Sequence, residues 1–284
     1  MAIFSNQATL SYNGNTTNSN IAYGEILDAV AATKTAIEGS YAPGELVTYA
    51  VTLRNTGRTA LTGLTITDDL GGFEFEGETV YPLTYEDGSA TLFIDGVPQP
   101  NPTVTAGPPL VIGGLTIPAG GDLVLVYQAR ANALADPSAE GTIVNTVTVT
   151  GNGITTPITA TETVNAATGP SLTITKSISP SQVVDNDRVT YTFVIRNSGN
   201  EAVVATDNAS ITDTFDPILT DLTVTFQGTT WTEGVQYTYD EATGLFVTLP
   251  GAITVPAATY TRDPVTGEYT VTPGVVTLTV TGTI

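Results

Sequence analysis

Residues 4–26 read FSNQATLSYNGNTTNSNIAYGEI, and residues 141–164 read GTIVNTVTVTGNGITTPITATETV. Both segments consist of a strand-like run, a turn of Asn and Gly, and a second, polar run, which is the pattern of a β-hairpin. Asn6 and Asn145 occupy equivalent positions 139 residues apart, and the same offset relates the two turn glycines. We therefore expect one closing hairpin to occur twice, before the first repeat of the chain and at its end.

The rest of the chain contains an internal repeat with an offset of 142 residues. The offset relates three pairs of residues: Lys34 and Lys176, Tyr49 and Tyr191, and Gly57 and Gly199. TITDDL, from Thr65, recurs as SITDTF, from Ser210, after a short insertion. The second repeat reaches Ile284 without a closing hairpin. A missing strand at one end and a spare copy at the other predict head-to-tail assembly.

The composition excludes several classes of function. The chain has 284 residues, a net charge of −20, eight basic residues and no His, which argues against binding to nucleic acid or to anionic membrane surfaces. Without Cys or His it can form no disulfide, thiolate metal site, Ser–His pair or Cys–His pair. We predict no cofactor, no metal and no turnover of an external substrate. No apolar run of about 20 residues is present to span a membrane.

Short strands separated by turn residues run through the whole sequence. In LVTYAVTLRN, residues 46–55, apolar residues alternate with polar ones as in a half-buried strand. Further strands are predicted at Ala29–Ile37, Leu61–Leu70 and, interrupted by a turn, Leu115–Ala131. The fold class is all-β, with two tandem immunoglobulin-like β-sandwiches. The second is expected to be incomplete and to be completed by an N-terminal donor strand from a neighbouring subunit.

The predicted organisation has three parts. Residues 1–22 form the N-terminal donor hairpin, residues 23–166 a complete sandwich, and residues 167–284 a sandwich that lacks its closing strand and acts as the acceptor.

The order of motifs resembles the bacterial surface repeat known as domain of unknown function eleven. The shared features are a first strand with Lys, a G-x-x-V-x-Y strand, N-x-G, T-D-x-L and a last strand with Asn. The first copy matches throughout, whereas the second has Asn186 in place of the turn glycine and lacks the Asn strand. The resemblance implies a stalk module like those of bacterial adhesins and pilins, many of which carry internal Lys–Asn isopeptide bonds.

Three kinds of polar residue fall on faces where the alternation requires core residues. These residues are Lys34 and Lys176, Asp68 and Asp213, and Asn145 and Asn6. Burial lowers the pKa of a lysine and raises that of an aspartic acid. A neutral amine could then attack the Asn carbonyl while the acid polarises it and shuttles protons, with ammonia leaving.

We assign Lys34, Asp68 and Asn145 to a bond within the first domain. Lys176 and Asp213 have no Asn in their own repeat, so Asn6 of the next subunit would complete that site. The donor strand would present Phe4, Asn6, Ala8 and Leu10 on one face. The alternative is that both lysines are buried salt-bridge partners of the two aspartates, with Asn as a hydrogen-bonded cap.

The sequence as a whole predicts a structural subunit of an extracellular bacterial fibre whose only partner is a second copy of itself. The absence of a recognisable signal peptide favours release on lysis of a mother cell, as for a spore appendage. The alternative function is a stalk or ligand-binding module of an adhesin. The sequence identifies no anchor or tip protein.

Overall fold

The computed structural model describes residues 2–26 and 30–284, with side chains for residues 4–24 and 30–284. Residues 27–29, which include the start of the strand predicted at Ala29–Ile37, lie outside the described part. Contacts divide the chain into a first unit, Met1–Asn132 with Ile143–Val164, and a second, Ala133–Thr142 with Asn165–Ile284. Within the described ranges the helical structure is limited to a 3-10 turn at Ala205–Asp207. The all-β prediction is confirmed.

The N-terminal segment forms an antiparallel hairpin in which two pairs of strands follow one another. Its strands are β1 (Ala2–Asn6), β2 (Thr9–Tyr12), β3 (Asn15–Asn18) and β4 (Ala22–Ile26). β1 pairs with β4 and β2 with β3. Asn13 and Gly14 both have positive φ, 46° and 79°, as a type I′ turn requires, and Asn-Gly is a favoured sequence for that turn.

Apart from the N-terminal hairpin, the first unit consists of two six-stranded sheets and a small ribbon. Its strands are β5 (Val30–Ala36), β6 (Ser40–Tyr41), β7 (Leu46–Asn55), β8 (Leu61–Asp68), β9 (Phe73–Phe75), β10 (Glu78–Val80), β11 (Leu83–Tyr85), β12 (Thr91–Ile94), β13 (Val97–Pro98), β14 (Thr103–Thr105), β15 (Leu110–Ile117), β16 (Asp122–Ala131), β17 (Thr142–Thr150) and β18 (Ile158–Ala166). One sheet has the order β13-β12-β16-β7-β5, with β11 also on β16, and the other has the order β14-β15-β8-β17-β18-β6. β9 and β10 pair with each other.

Alternating burial shows which face of each central strand packs in the core. Along β7, Val47, Tyr49, Val51 and Leu53 are fully buried, whereas the intervening residues are not. β16 has the same alternation and pairs with β7 along its length. The apolar faces of the two sheets therefore enclose the core between them.

The second unit has the same kind of first sheet. Its strands are β19 (Leu172–Ser179), β20 (Arg188–Asn197), β21 (Thr212–Thr214), β22 (Thr220–Phe226), β23 (Thr229–Thr230), β24 (Tyr237–Asp240), β25 (Leu245–Thr248), β26 (Thr259–Arg262), β27 (Tyr269–Thr272) and β28 (Gly274–Thr283). The first sheet has the order β19-β20-β28-β22-β23, the second the order β21-β25-β24, and β26 pairs with β27. β19, β20 and β28 correspond to β5, β7 and β16 of the first unit.

The second sheets of the two units differ at one edge. In the first unit β8, the strand with Asp68, lies between β15 and β17. In the second unit β21, the strand with Asp213, pairs with β25, and no strand of the described chain pairs with its other edge. The counterpart of the β17–β18 hairpin is therefore missing beside Asp213 in the described chain.

Candidate functional site

Lys34 and Asp68 form an ion pair inside the first sandwich. Lys34 lies on β5 and Asp68 at the end of β8, so the pair connects the two sheets. Lys34 Nζ lies 2.5 Å from Asp68 Oδ2, and both side chains are fully buried, with 0% and 1% exposure. Asp68 Oδ1 accepts a hydrogen bond from the Leu70 N–H. Both carboxylate oxygens of Asp68 are therefore used.

Two tyrosines complete the surroundings of this pair. Tyr49 on β7 and Tyr127 on β16 face each other in the sheet register, and their rings stack with centroids 5.6 Å apart. The Tyr127 hydroxyl donates to Asp68 Oδ2. Lys34 Nζ lies 4.7 Å from the centre of the Tyr49 ring, where a cation is attracted to the face of the ring.

Asn145 lies in the same core, on β17. Its side chain is fully buried, and its amide is beside the hydroxyls of Tyr49 and Tyr127. No hydrogen bond of normal geometry reaches either polar atom of Asn145 from the described residues. A buried amide without such bonds is costly. The Lys34–Asp68 ion pair itself is common to the site before crosslinking and to the alternative in which the two residues stay unreacted salt-bridge partners.

The surroundings of the Lys34 amine make it easier to deprotonate than a lysine in water. Burial lowers the pKa of Lys34, and the charge of Asp68 opposes this shift only in part. Burial also raises the pKa of Tyr49 and of Tyr127, so both hydroxyls keep their protons. A neutral amine is a nucleophile, and a proton acceptor, Asp68, lies at hydrogen-bond distance from it.

The second unit contains the equivalent pair in a more open environment. Lys176 Nζ forms an ion pair with Asp213 Oδ2, but their side chains are 40% and 18% exposed. Three rings surround the ammonium group, with centroids between 4.6 and 5.5 Å from Nζ: those of Tyr191, Phe193 and Phe215. The expectation that Lys176 is a core residue therefore does not hold for a single chain.

Lys176 is exposed because no closing hairpin of the described chain covers it. All eight residues of β19 are exposed, including Ile174 at 52% and Ile178 at 41%. Val30 and Lys34 on the equivalent strand, β5, are buried, because that unit contains β17 and β18. The open edge of β21 and the exposed face of β19 together form what we call the acceptor groove.

The predicted donor strand is exposed along its length. Every described side chain from Phe4 to Tyr23 is exposed, with Phe4 at 56% and Leu10 at 62%. Asn6 and Ala8 belong to this exposed set, so the chain shown here does not bring Asn6 into a buried site. The residues at the equivalent positions of β17, Ile143, Asn145, Val147 and Val149, are all buried.

Tyr127 and Tyr49 were not identified as site residues from the sequence. Both lie at inward positions of strands, and a buried Tyr needs a partner for its hydroxyl. This requirement was the feature of the sequence from which a role for the two tyrosines in the site could have been predicted. In the second unit Tyr191 takes the place of Tyr49 and pairs in register with Val280, which takes the place of Tyr127. Asp213 therefore lacks the hydroxyl donor that Asp68 has.

Comparisons with known proteins give structural similarities and no sequence family. No protein-family model matches the chain, so the resemblance to domain of unknown function eleven is not confirmed, and no curated protein matches it. The structure is similar to BcpA, the major pilin subunit of Bacillus cereus, with a TM-score of 0.37, 12% identity and coverage of 96% of this chain and 73% of that one.

Two further solved structures illustrate the range of the similarity. One is the pilus backbone RrgB of Streptococcus pneumoniae, with a TM-score of 0.35, 12% identity and coverage of 86% of this chain and 55% of that one. The other is the collagen-binding subdomain ACE19 of Enterococcus faecalis, with a TM-score of 0.32, 11% identity and coverage of 50% and 99%. The chain thus spans just over half the length of the pneumococcal structure. At these scores the likeness carries no functional argument.

The described ranges contain no helix with the length and apolar character needed to cross a membrane.

Proposed function

We propose that this protein is the structural subunit of an extracellular fibre that polymerises head to tail. The N-terminal hairpin of one copy fills the acceptor groove of the next copy. One observation supports this most directly. The first unit pairs its own closing hairpin, β17–β18, with β8 and buries the inward face of β17, whereas the related N-terminal hairpin is exposed and the second unit has an uncovered groove. Contacts between different surfaces of identical subunits produce filaments when the rotation between copies does not close a ring.

Burial of apolar side chains supplies the driving force for this docking. Phe4 and Leu10 on the hairpin and Ile174 and Ile178 on the groove are all exposed in a single chain. Complete burial of a side chain of this size contributes about 1.5–3 kcal/mol. The open edge of β21 gains main-chain hydrogen bonds at the same time, as in other cases of β-strand addition, and is no longer an aggregation hazard.

Covalent bonds then stabilise the fibre within and between subunits. Lys34 transfers a proton to Asp68, and the neutral amine attacks Cγ of Asn145. A C–N bond forms, the bond from Cγ to Nδ2 breaks, and the amide nitrogen leaves as ammonia after taking a proton from the attacking amine through Asp68. Lys176, Asp213 and Asn6 of the next copy undergo the same reaction at the junction. Self-modification is the only chemistry that we propose, and the protein acts on no external substrate.

Docking comes before reaction at the junction because the two sites differ in exposure. The Lys34 side chain is fully buried, whereas that of Lys176 is 40% exposed, and water stabilises a charged amine. The docked hairpin would exclude this water. A covalent bond would therefore form only at a correctly filled groove.

Substitutions on opposite faces of the donor strand test this function. Leu10→Asp places a charge at the position equivalent to buried Val149 and is expected to abolish fibres in electron micrographs. Ser11→Asp places the same charge at the position equivalent to exposed Thr150 and is expected to leave fibres intact. Deletion of residues 1–13 should also abolish self-assembly.

Two other outcomes would contradict the proposal. A chain that stays monomeric with or without residues 1–13 would favour the adhesin module, whose groove accepts a different protein. A monomer whose hairpin fills its own groove would show that the exposed state is not the one that assembles. Immunogold labelling of whole cells and spores tests the surface location that belongs to the same proposal.

A further inference from the structure

The first unit shows how a closing hairpin pairs with the strand that carries the aspartate. β17 runs antiparallel to β8, with Val147 opposite Asp68 and Val149 opposite Ile66. Asn145 is two residues from Val147 and lies on the same inward face. The position of the Asn beside the Lys–Asp pair is therefore fixed by the strand register.

Two sequence offsets transfer this register to the second unit. The hairpin residues are related by 139 positions, and the strand of Asp68 is related to that of Asp213 by 145 positions. The backbone conformation supports the second offset at one further pair of positions. Gly63 in β8 and Asn208, 145 positions later, both adopt the left-handed conformation, with φ of 62° and 55°.

We propose that the hairpin docks on β21 of the next copy in one register, with Ala8 opposite Asp213. Thr9 then lies opposite Thr212, and Leu10 opposite Ile211. Asn6 takes the place beside Lys176 that Asn145 has beside Lys34. This inference rests on the proposed function and specifies its interface.

The residues around Lys176 explain why Ala8 fits this position. Phe193 and Phe215 stand where the first unit has Val51 and Leu70, and both rings are buried at 5.5 and 5.3 Å from Lys176 Nζ. These larger side chains leave less room in the groove. The hairpin correspondingly has Ala8 where β17 has Val147.

Other registers would misplace the reacting groups. A slip by one residue turns every donor side chain to the other face, which moves Asn6 away from Lys176. A slip by two residues keeps the face but places Phe4 or Ala8, neither of which has an amide side chain, beside Lys176. The proposed register is the one in which the Asn, Lys and Asp positions of the first unit are all reproduced.

Disulfide trapping tests the register directly, because the chain has no native Cys. In the first unit the Asp69 N–H donates to the Thr146 carbonyl, so by alternation Thr67 and Thr148 also form a hydrogen-bonded pair. Such a pair has Cα atoms about 5.5 Å apart, which suits a disulfide. Thr9→Cys combined with Thr212→Cys is therefore expected to form a disulfide at each junction.

The control has the same thiol on the donor and a shifted thiol on the acceptor. Thr9→Cys combined with Thr214→Cys reports a slip of two residues. Fibres of each double variant are oxidised and digested, and the disulfide-linked peptides are quantified by mass spectrometry, which distinguishes them from any isopeptide. We expect the 9–212 peptide to exceed the 9–214 peptide several-fold.

The outcomes separate the register from the proposed function. Normal fibres in which the 9–214 peptide predominates, or in which neither disulfide forms, would overturn the register while leaving fibre assembly in place. A parental chain that forms no fibres would overturn both.

Discussion

Asn145→Ala is expected to remove the internal crosslink of the first unit and leave the Lys34–Asp68 ion pair in place. Neither polar atom of Asn145 has a hydrogen bond of normal geometry from the described residues. The substitution therefore breaks no such bond, although it leaves a cavity as well as removing the electrophile. A loss of stability well above about 3 kcal/mol must then come from the missing covalent bond.

The size of this loss follows from the length of the loop that the bond closes. Lys34 and Asn145 are 111 positions apart. The chain-entropy relation for a crosslink that closes such a loop gives about 5 kcal/mol at 25 °C. For a unit of this size, that corresponds to a fall of about 10–20 °C in melting temperature.

Without a bond, the same substitution would have a small effect of either sign. The cavity left by the truncated side chain destabilises the unit, whereas removal of an unsatisfied buried amide stabilises it, each by about 1–3 kcal/mol. The loss of stability caused by Asn145→Ala is therefore large if the internal bond exists and small if it does not. A single unfolding experiment can distinguish the two cases.

The assay combines intact mass with equilibrium unfolding. After full denaturation, the parental chain should be one ammonia lighter than the mass calculated from its sequence. The variant should have the full mass calculated from its own sequence. The single Trp, Trp231, lies in the second unit, so its fluorescence should report an unchanged transition. The transition of the first unit, followed by far-UV circular dichroism, should move.

Asp69→Asn is the matched control for this prediction. Asp69 Oδ1 accepts hydrogen bonds from the Gly71 and Thr146 N–H groups, and an Asn oxygen can accept both. This variant should keep the mass deficit and the stability of the parental chain. A parental chain with its full mass, or an Asn145→Ala variant as stable as the parent, would refute the internal bond.

Asp213→Asn removes the proton acceptor of the junction alone. It should therefore prevent the boiling-resistant ladder on a denaturing gel and leave the mass deficit of the monomer unchanged. Loss of the internal bond in this variant would show that the two sites are not independent. In Asn145→Ala the amine of Lys34 stays free. The free energy of unfolding should then rise with pH above the lowered folded-state pKa of Lys34, because the unfolded chain binds this proton more tightly. The measurement stays below pH 10.0, the ordinary pKa of tyrosine, since Tyr49 and Tyr127 have raised pKa values and act in the opposite direction above it; a urea midpoint that falls with pH in this range would contradict the burial of Lys34. Ala8→Val should slow fibre growth in light scattering several-fold, whereas Thr9→Val on the opposite face should not; equal rates would show that the groove has room for the larger side chain.

The sequence predicted much of the strand pattern, because alternation and turn residues act locally. The strand predicted at Leu46–Asn55 is β7, with the predicted residues inward. The Asn-Gly turn of the N-terminal hairpin was also predicted. The interruption of this hairpin between β1 and β2 was not predicted. It is a bulge opposite Gln7 and Ala8, where the register changes from Asn6 paired with Ala22 to Thr9 paired with Asn18.

The site was predicted less completely, because burial depends on partners distant in sequence. The alternation of residues along each strand placed Lys34, Asp68 and Asn145 on inward faces, and all three are buried. The alternation of inward and outward residues gave the same prediction for Lys176, which is partly exposed because no strand of the described chain covers it. The hydrogen bond from Tyr127 to Asp68 joins residues 59 positions apart and lies in no local pattern.

The most direct test of head-to-tail covalent assembly is peptide mass spectrometry on fibres boiled in detergent. We expect a crosslinked peptide pair that joins Lys176 of one copy to Asn6 of another and is one ammonia lighter than the sum of the two peptides. Fibres that dissolve to monomers and yield Lys176 and Asn6 only in unmodified peptides would contradict the covalent junction.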